Sequence, residues 1–152
     1  MTTISLPAAR SRPADATRAH LATIGHTVLR AGAGLLFLQH GAQKLFGMFG
    51  GFMNTPGATA PLMSLMGLAG VIEFGGGLLL ALGLLTRPVA LLMLGEMLIA
   101  FVTVHLPRGG APMQNGGELA LLYALIFAYF IASGGGAASL DAQLGSHRRS
   151  RG

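Results

Sequence analysis

The sequence predicts an all-α integral membrane protein, a four-helix bundle with both termini on the cytoplasmic side. Three observations carry that prediction. Of 152 residues, 52% are hydrophobic and 10% charged, where soluble domains run at about 25% charged. Mean hydropathy is +0.63, and the apolar residues fall into four long runs separated by Gly- and Pro-rich turns. The basic residues gather at Arg10, Arg12 and Arg18, at Arg87, and at Arg148, Arg149 and Arg151, against Lys44 and Arg108 on the other side. An excess of Lys and Arg marks the cytoplasmic face.

The composition also narrows the chemistry. Cysteine is absent, which excludes disulfides, thiolate metal sites, iron–sulfur ligation, c-type haem attachment and cysteine nucleophiles. No covalently bound cofactor is expected. The net charge of +5 reads as topology, with the headgroups of the lipid bilayer as partners rather than nucleic acid.

Residues 1–19 are polar and contain Pro7 and Pro13, so a disordered basic cytoplasmic tail is expected, with a helical lead-in after Pro13. The first span covers about 21–46. It contains Arg30 and no convincing small-residue cleavage site, so it reads as retained rather than as a signal peptide. At helical spacing His26, Arg30, Ala33, Phe37, His40 and Lys44 lie on one stripe, which must face protein. Gly32 and Gly34 beside it let a neighbouring helix come close. From Leu45 to Ala60 the glycines and Pro56 preclude a span, leaving a loop or short re-entrant cap.

The second span, about 61–85, ends at Thr86-Arg87-Pro88. Proline opening the next helix loses only an N–H that would be unpaired anyway, so a tight hairpin is expected. The third span, about 88–106, carries Glu96, and the fourth covers about 117–134. Ala120, Ala124, Ala128 and Ala132 form a small-residue ladder suited to close helix packing. Gly75, Gly76 and Gly77 make a second packing face; lying within a span, they are not a phosphate loop. The four spans make one transmembrane domain, 20–134, followed by a basic cytoplasmic tail, 135–152.

Three charges lie inside the spans. Counted from the expected helix ends, Arg30 and Glu96 are ~13 Å and Glu73 ~18 Å from the cytoplasmic edge. They are therefore expected to share one intramembrane layer, with the planar fork of Arg30 neutralising one carboxylate or bridging both, and one glutamate keeping its proton. Three readings stay open: a structural clamp, a small-molecule site, or a proton-coupled pathway. Near the outer ends, His40, Lys44, His105 and Glu118 form an expected polar cluster. Glu118 also reads as a first-turn acid complementing a helix N-terminus. No spacing motif joins His40 and His105 to a third ligand, so no metal site is expected.

The stretch from Arg30 through GAGLLFLQHGAQKLFG, with VIEFGGGLLLALGLLTRPVALLMLGEMLIA, resembles the DoxX family of small four-helix bacterial membrane proteins. His40, Gly41, Lys44 and Leu45 fit its H-G-x-x-K-L stretch. Glu73, Gly76, Gly77, Leu79, Leu80, Gly83, Leu84, Thr86 and Arg87 fit E-x-x-G-G-x-L-L-x-x-G-L-x-T-R. The resemblance covers about 24–133, with a shorter first loop than is usual in the family. It implies a multi-pass protein of the bacterial inner membrane. Family members are named as quinone-reducing subunits of thiosulfate oxidation or as partners in an oxidoreductase complex for oxidative stress. The implied function is thus a subunit, not an enzyme on its own, that meets soluble oxidoreductases and offers a quinone site. The alternative is a small homo-oligomeric transporter in which Glu73 or Glu96 cycles a proton.

Overall fold

The computed structural model describes residues 13–149, and the regular structure of those residues is helical throughout. Helix α1, Pro13–Phe46, carries Asp15 in its first described turn, a charge suited to a helix N-terminus. Helix α2, Leu65–Leu82, begins at Ser64, whose hydroxyl accepts from Gly67 N at 3.1 Å, and ends at Gly83, φ 69°. That left-handed position is a glycine helix stop. Helix α3, Thr86–Ala100, runs on through a π-helical turn, Phe101–His105, and a 3₁₀ turn, Leu106–Arg108. The short α4, Pro112–Asn115, leads into α5, Glu118–Ser133, and α6, Leu140–Arg149, closes the chain.

Ala14–Phe46, Leu65–Leu82 and Thr86–Arg108 are long and apolar enough to cross a membrane, while α5 is apolar but shorter at 16 residues. The α2–α3 turn meets the segment that follows α5 at one end of the bundle, called the termini end. Segments 47–64 and 109–117 lie at the opposite loop end. The described parts of the two tails contain helix, at the amino-terminal side as the lead-in expected after Pro13. Residues 13–19 are a continuation of α1, and 135–149 fold back as a turn and a helix; the remaining tail residues, 1–12 and 150–152, lie outside the described residues.

Two glycine pairs join α1 to α2. A Cβ on Gly34 would lie 2.6 Å from Ala81 N and from Gly77 O, and one on Gly41 would collide with the backbone of Phe74 and Gly70. Backbone therefore meets backbone, as small residues permit between membrane helices. In the second half, α3 packs on α5, and Phe37, Leu80, Met93, Phe127 and Phe130 are fully buried between the two halves. Met93 lies over Gly76.

The expected packing faces hold in part. Gly76 and Gly77 meet neighbours, but Gly75 and Gly32 have nothing within 4 Å of a Cβ. Ala120 and Ala124 are buried, whereas Ala128 and Ala132 are exposed. A four-residue step overshoots the 3.6-residue turn, so a strict four-residue ladder drifts off the contact face after two steps.

Candidate functional site

The glycine seam decides which charges can meet. Gly34 faces the turn of α2 from Gly77 to Ala81 and Gly41 the turn from Gly70 to Phe74, and the antiparallel register centred on those two turns puts Glu73 level with His40, and Arg30 level with Gly83. Lys44, one turn beyond His40, extends its side chain back along α1, and its Nζ lies 2.5 Å from Glu73 Oε2. The pair is largely sealed, with the side chains 18% and 7% exposed respectively. Lys44 also anchors the loop end, because its carbonyl accepts from Ala60 N at 2.7 Å.

Glu96 joins this pair from α3. It stands ten residues from Thr86 and Glu73 nine from Leu82, so both are ~14 Å from the same end of the bundle. Glu96 lies within electrostatic reach of Glu73 and Lys44. Both its carboxyl oxygens are buried and have no hydrogen-bond partner among the described residues. Tyr123 of α5 is near Glu73 as well; its ring stacks on Phe127, lies tilted against Phe37 at a centroid distance of 5.0 Å and makes a T-shaped contact with His40 at 6.1 Å.

The expected layer is thus corrected in one member: the shared depth of Glu73 and Glu96 is found, but their cation is Lys44, not Arg30. Because α1 is already helical at Pro13 rather than Leu21 and α2 ends at Leu82 rather than Leu85, the register fixed by the glycine contacts places Arg30 at the end of α2. There Arg30 is 2% exposed. Its Nη1 donates to Leu80 O and Ala81 O at 2.8 and 2.6 Å, and its Nη2 to Ala138 O at 2.8 Å.

The expected outer cluster does not assemble. Lys44 belongs to the glutamate layer, and His40 faces Tyr123. His105 Nδ1 is 3.2 Å from Asn115 O; a carbonyl only accepts, so that nitrogen donates. Glu118 is exposed in the first turn of α5, which suits the helix-dipole reading. Among the described residues no group of three His, Cys, Asp or Glu side chains could hold a metal ion.

At the termini end the structure adds residues that the sequence reading passed over. Asp141, in the first turn of α6, accepts from Leu85 N through Oδ1 at 2.8 Å and from Thr86 N through Oδ2 at 2.9 Å. Burial pushes the Asp141 carboxyl up, but those amides and the Arg30 charge together hold it below the ordinary aspartate value. His26 Nε2 is 3.2 Å from Gly134 O and its Nδ1 is 2.8 Å from Tyr129 Oη. The carbonyl fixes the proton on Nε2, so the Tyr129 hydroxyl donates to Nδ1. Ser139, with Asp141 two residues later, is a helix-start signal in the sequence, and Ser139 Oγ does accept from Ala142 N at 3.2 Å.

Arg30, Lys44, Glu73 and Glu96 all fall within residues 25–106, the segment that matches the DoxX family. A Haemophilus influenzae protein described as uncharacterized is 42% identical over 116 residues, covering 74% of this chain and 85% of that protein. No solved structure matches the chain. With helices apolar and long enough for a bilayer, charges sequestered between them and a family match over more than half its length, the chain belongs to the DoxX family of membrane proteins.

Proposed function

We propose that this protein is a non-catalytic integral subunit of a membrane-associated oxidoreductase or oxidative-stress complex. It sits in the bacterial inner membrane with both termini in the cytoplasm, and soluble oxidoreductases that bind it supply the redox chemistry. Its own contribution is the Lys44–Glu73–Glu96 layer, which takes a small neutral ligand of quinone type. The observation that supports this reading is the pair of Glu96 oxygens, buried and partnerless beside an ion pair. A carboxyl so placed costs the fold stability, and intramembrane ionisable groups are retained where a ligand or a proton needs them. Lys44 balances Glu73, so a proton on Glu96 closes the local charge count and leaves Glu96 a hydrogen-bond donor to a ligand oxygen.

A hydrophobic carbodiimide, which attaches to protonated carboxyls in apolar surroundings, tests this directly. It should label Glu96 and spare Glu73, and a quinone analogue should protect Glu96. Glu96→Gln should fold, escape labelling and fail to restore oxidant resistance in a deletion strain. An unlabelled Glu96 in the parent, or full restoration by Glu96→Gln, refutes the reading.

A second reading, proton-coupled transport by a homo-oligomer, draws on a different observation. Helices α1, α2 and α3 each supply one titratable group to the layer, and lysine, unlike arginine, can release its proton. Proton flux in proteoliposomes that disappears with Glu73→Gln or Glu96→Gln would replace the subunit reading with this one.

A further inference from the structure

The turn between α2 and α3 is the covalent joint between the two halves of the bundle; it closes α2 through Gly83 and Leu84, whose N–H groups donate to Leu80 O and Leu79 O, but it leaves the start of α3 without a side-chain cap of its own. Leu85 precedes α3 with φ 51° and offers no side-chain cap, a left-handed conformation that is strained for a branched side chain. Distant residues supply what the turn lacks. Arg30, from α1, takes the last-turn carbonyls of α2 at Leu80 and Ala81. Asp141, from α6, takes the first amides of α3 at Leu85 and Thr86, and its own N–H donates to Gly83 O at 2.9 Å. A cation thus stands at the negative end of one helix dipole and an anion at the positive end of the next. The two charges are within electrostatic reach of each other, and Arg30 ties α6 down again through Ala138 O. The site has no slack: a Cβ on Gly83 would lie 2.6 Å from both Arg30 Nη1 and Ser139 Cβ.

Glu73 and Glu96 sit nine residues back and ten residues on from this joint. Their common depth is therefore set by how α2 and α3 are held where they turn. We infer that Arg30 and Asp141 are positioning residues, a clasp that places α3, and Glu96 on it, against α2 and Glu73. The inference rests on the reading of that glutamate layer as the functional site. It assigns the carboxyl-terminal helix α6 a role in the site although α6 lies at the far end of the bundle from Lys44.

The test uses the full chain in mild detergent. Because the protein has no cysteine, Met93→Cys gives a single thiol at a position that is 0% exposed between α2 and α3. In that background, and well below each variant's own unfolding temperature, Asp141→Ala should cut carbodiimide labelling of Glu96 about fivefold or more, since small displacements of a site group have large effects. It should also raise maleimide reaction at Met93→Cys about tenfold by local opening. Asp141→Glu, which keeps the carboxylate, should restore both, a rescue that loss of stability alone does not predict. If Asp141→Ala leaves both rates at the parental value, the clasp sets nothing and the inference is overturned. If Glu96 is unlabelled even in the parent, the functional reading falls, and Met93→Cys alone decides the clasp: faster reaction upholds it, unchanged reaction overturns it. Should Asp141→Ala yield no folded protein, Asp141→Asn, which keeps one acceptor oxygen, carries the same two readouts.

Discussion

Lys44→Met is the sharpest probe of the ion pair at the centre of the bundle. The substitution keeps the length and apolar stem of the side chain while removing the charge 2.5 Å from Glu73 Oε2. Glu73 is 7% exposed on its side chain and lies in the middle of α2, so it has no route to water. Removing one member of such a pair typically costs about 3–5 kcal/mol, because the remaining charge stays buried without compensation. Glu73→Leu should cost less, about 1–3 kcal/mol: the ammonium left behind is 18% exposed and two residues from the end of α1, and lysine there can swing toward the loop end. The double variant, with both groups replaced by apolar side chains of similar size, should return to near the parental stability, as whole buried pairs replaced together often do. For a chain of this size about 1 kcal/mol corresponds to roughly 2–4 °C in Tm, so thermal unfolding in detergent resolves all three values. Arg30→Ala should be destabilising too, yet additive with Glu73→Leu, since the two side chains share no partner. A double variant as unstable as the sum of the singles, or coupling of Glu73 to Arg30 instead of Lys44, would refute the assignment.

Three further outcomes are expected. Gly34→Ala should destabilise by about 1–3 kcal/mol, because its Cβ would press on backbone atoms that cannot rotate away, whereas Gly75→Ala, with open space around it, should be neutral or stabilising by about 0.5–1 kcal/mol; equal Tm shifts would contradict the seam. Asp141 is held below its ordinary value in the fold, so its contribution is complete above the unfolded carboxyl value of about 3.9 and is lost as pH falls through the lower folded value; Tm measured against pH should lose this acid limb in Asp141→Asn. Topology reporters fused at either terminus should both read cytoplasmic, and a translocated reporter at either end would reverse the orientation.

The helices were legible because apolar runs, prolines and glycines mark their limits in the chain itself. Ser64 and Gly83, which close α2, lie just inside the expected limits of 61 and 85. The partner of Glu73 was not legible in the same way. It depends on the register between α1 and α2, and that register is fixed by which glycines among many touch backbone: Gly34 and Gly77 do, Gly32 and Gly75 do not. A misplacement of one or two turns moved the cation from Lys44 to Arg30, although both residues were correctly placed on one stripe. Asp141 was illegible for another reason. Its partners are amides 55 and 56 residues earlier, and backbone N–H groups carry no sequence signature. The excess of arginine in the terminal segment drew it toward a solvated tail, while Ser139 and Asp141 were the signals of an ordered helix start.

The seam between α1 and α2 also has a thermodynamic character of its own. Where Gly34, Gly41 and Gly77 meet backbone of the facing helix, no side chain must give up rotamers for the contact to form, so the ordering cost that burdens most packing is absent there. What is lost instead is backbone freedom, and glycine has the most to lose; inside a membrane, helix formation has already settled that account before two helices meet. The hairpin can therefore close late and cheaply, as a docking of finished rods. Leucines such as Leu35, Leu36 and Leu78, exposed on this hairpin, then contribute to solvation by lipid without entering the fit between the helices.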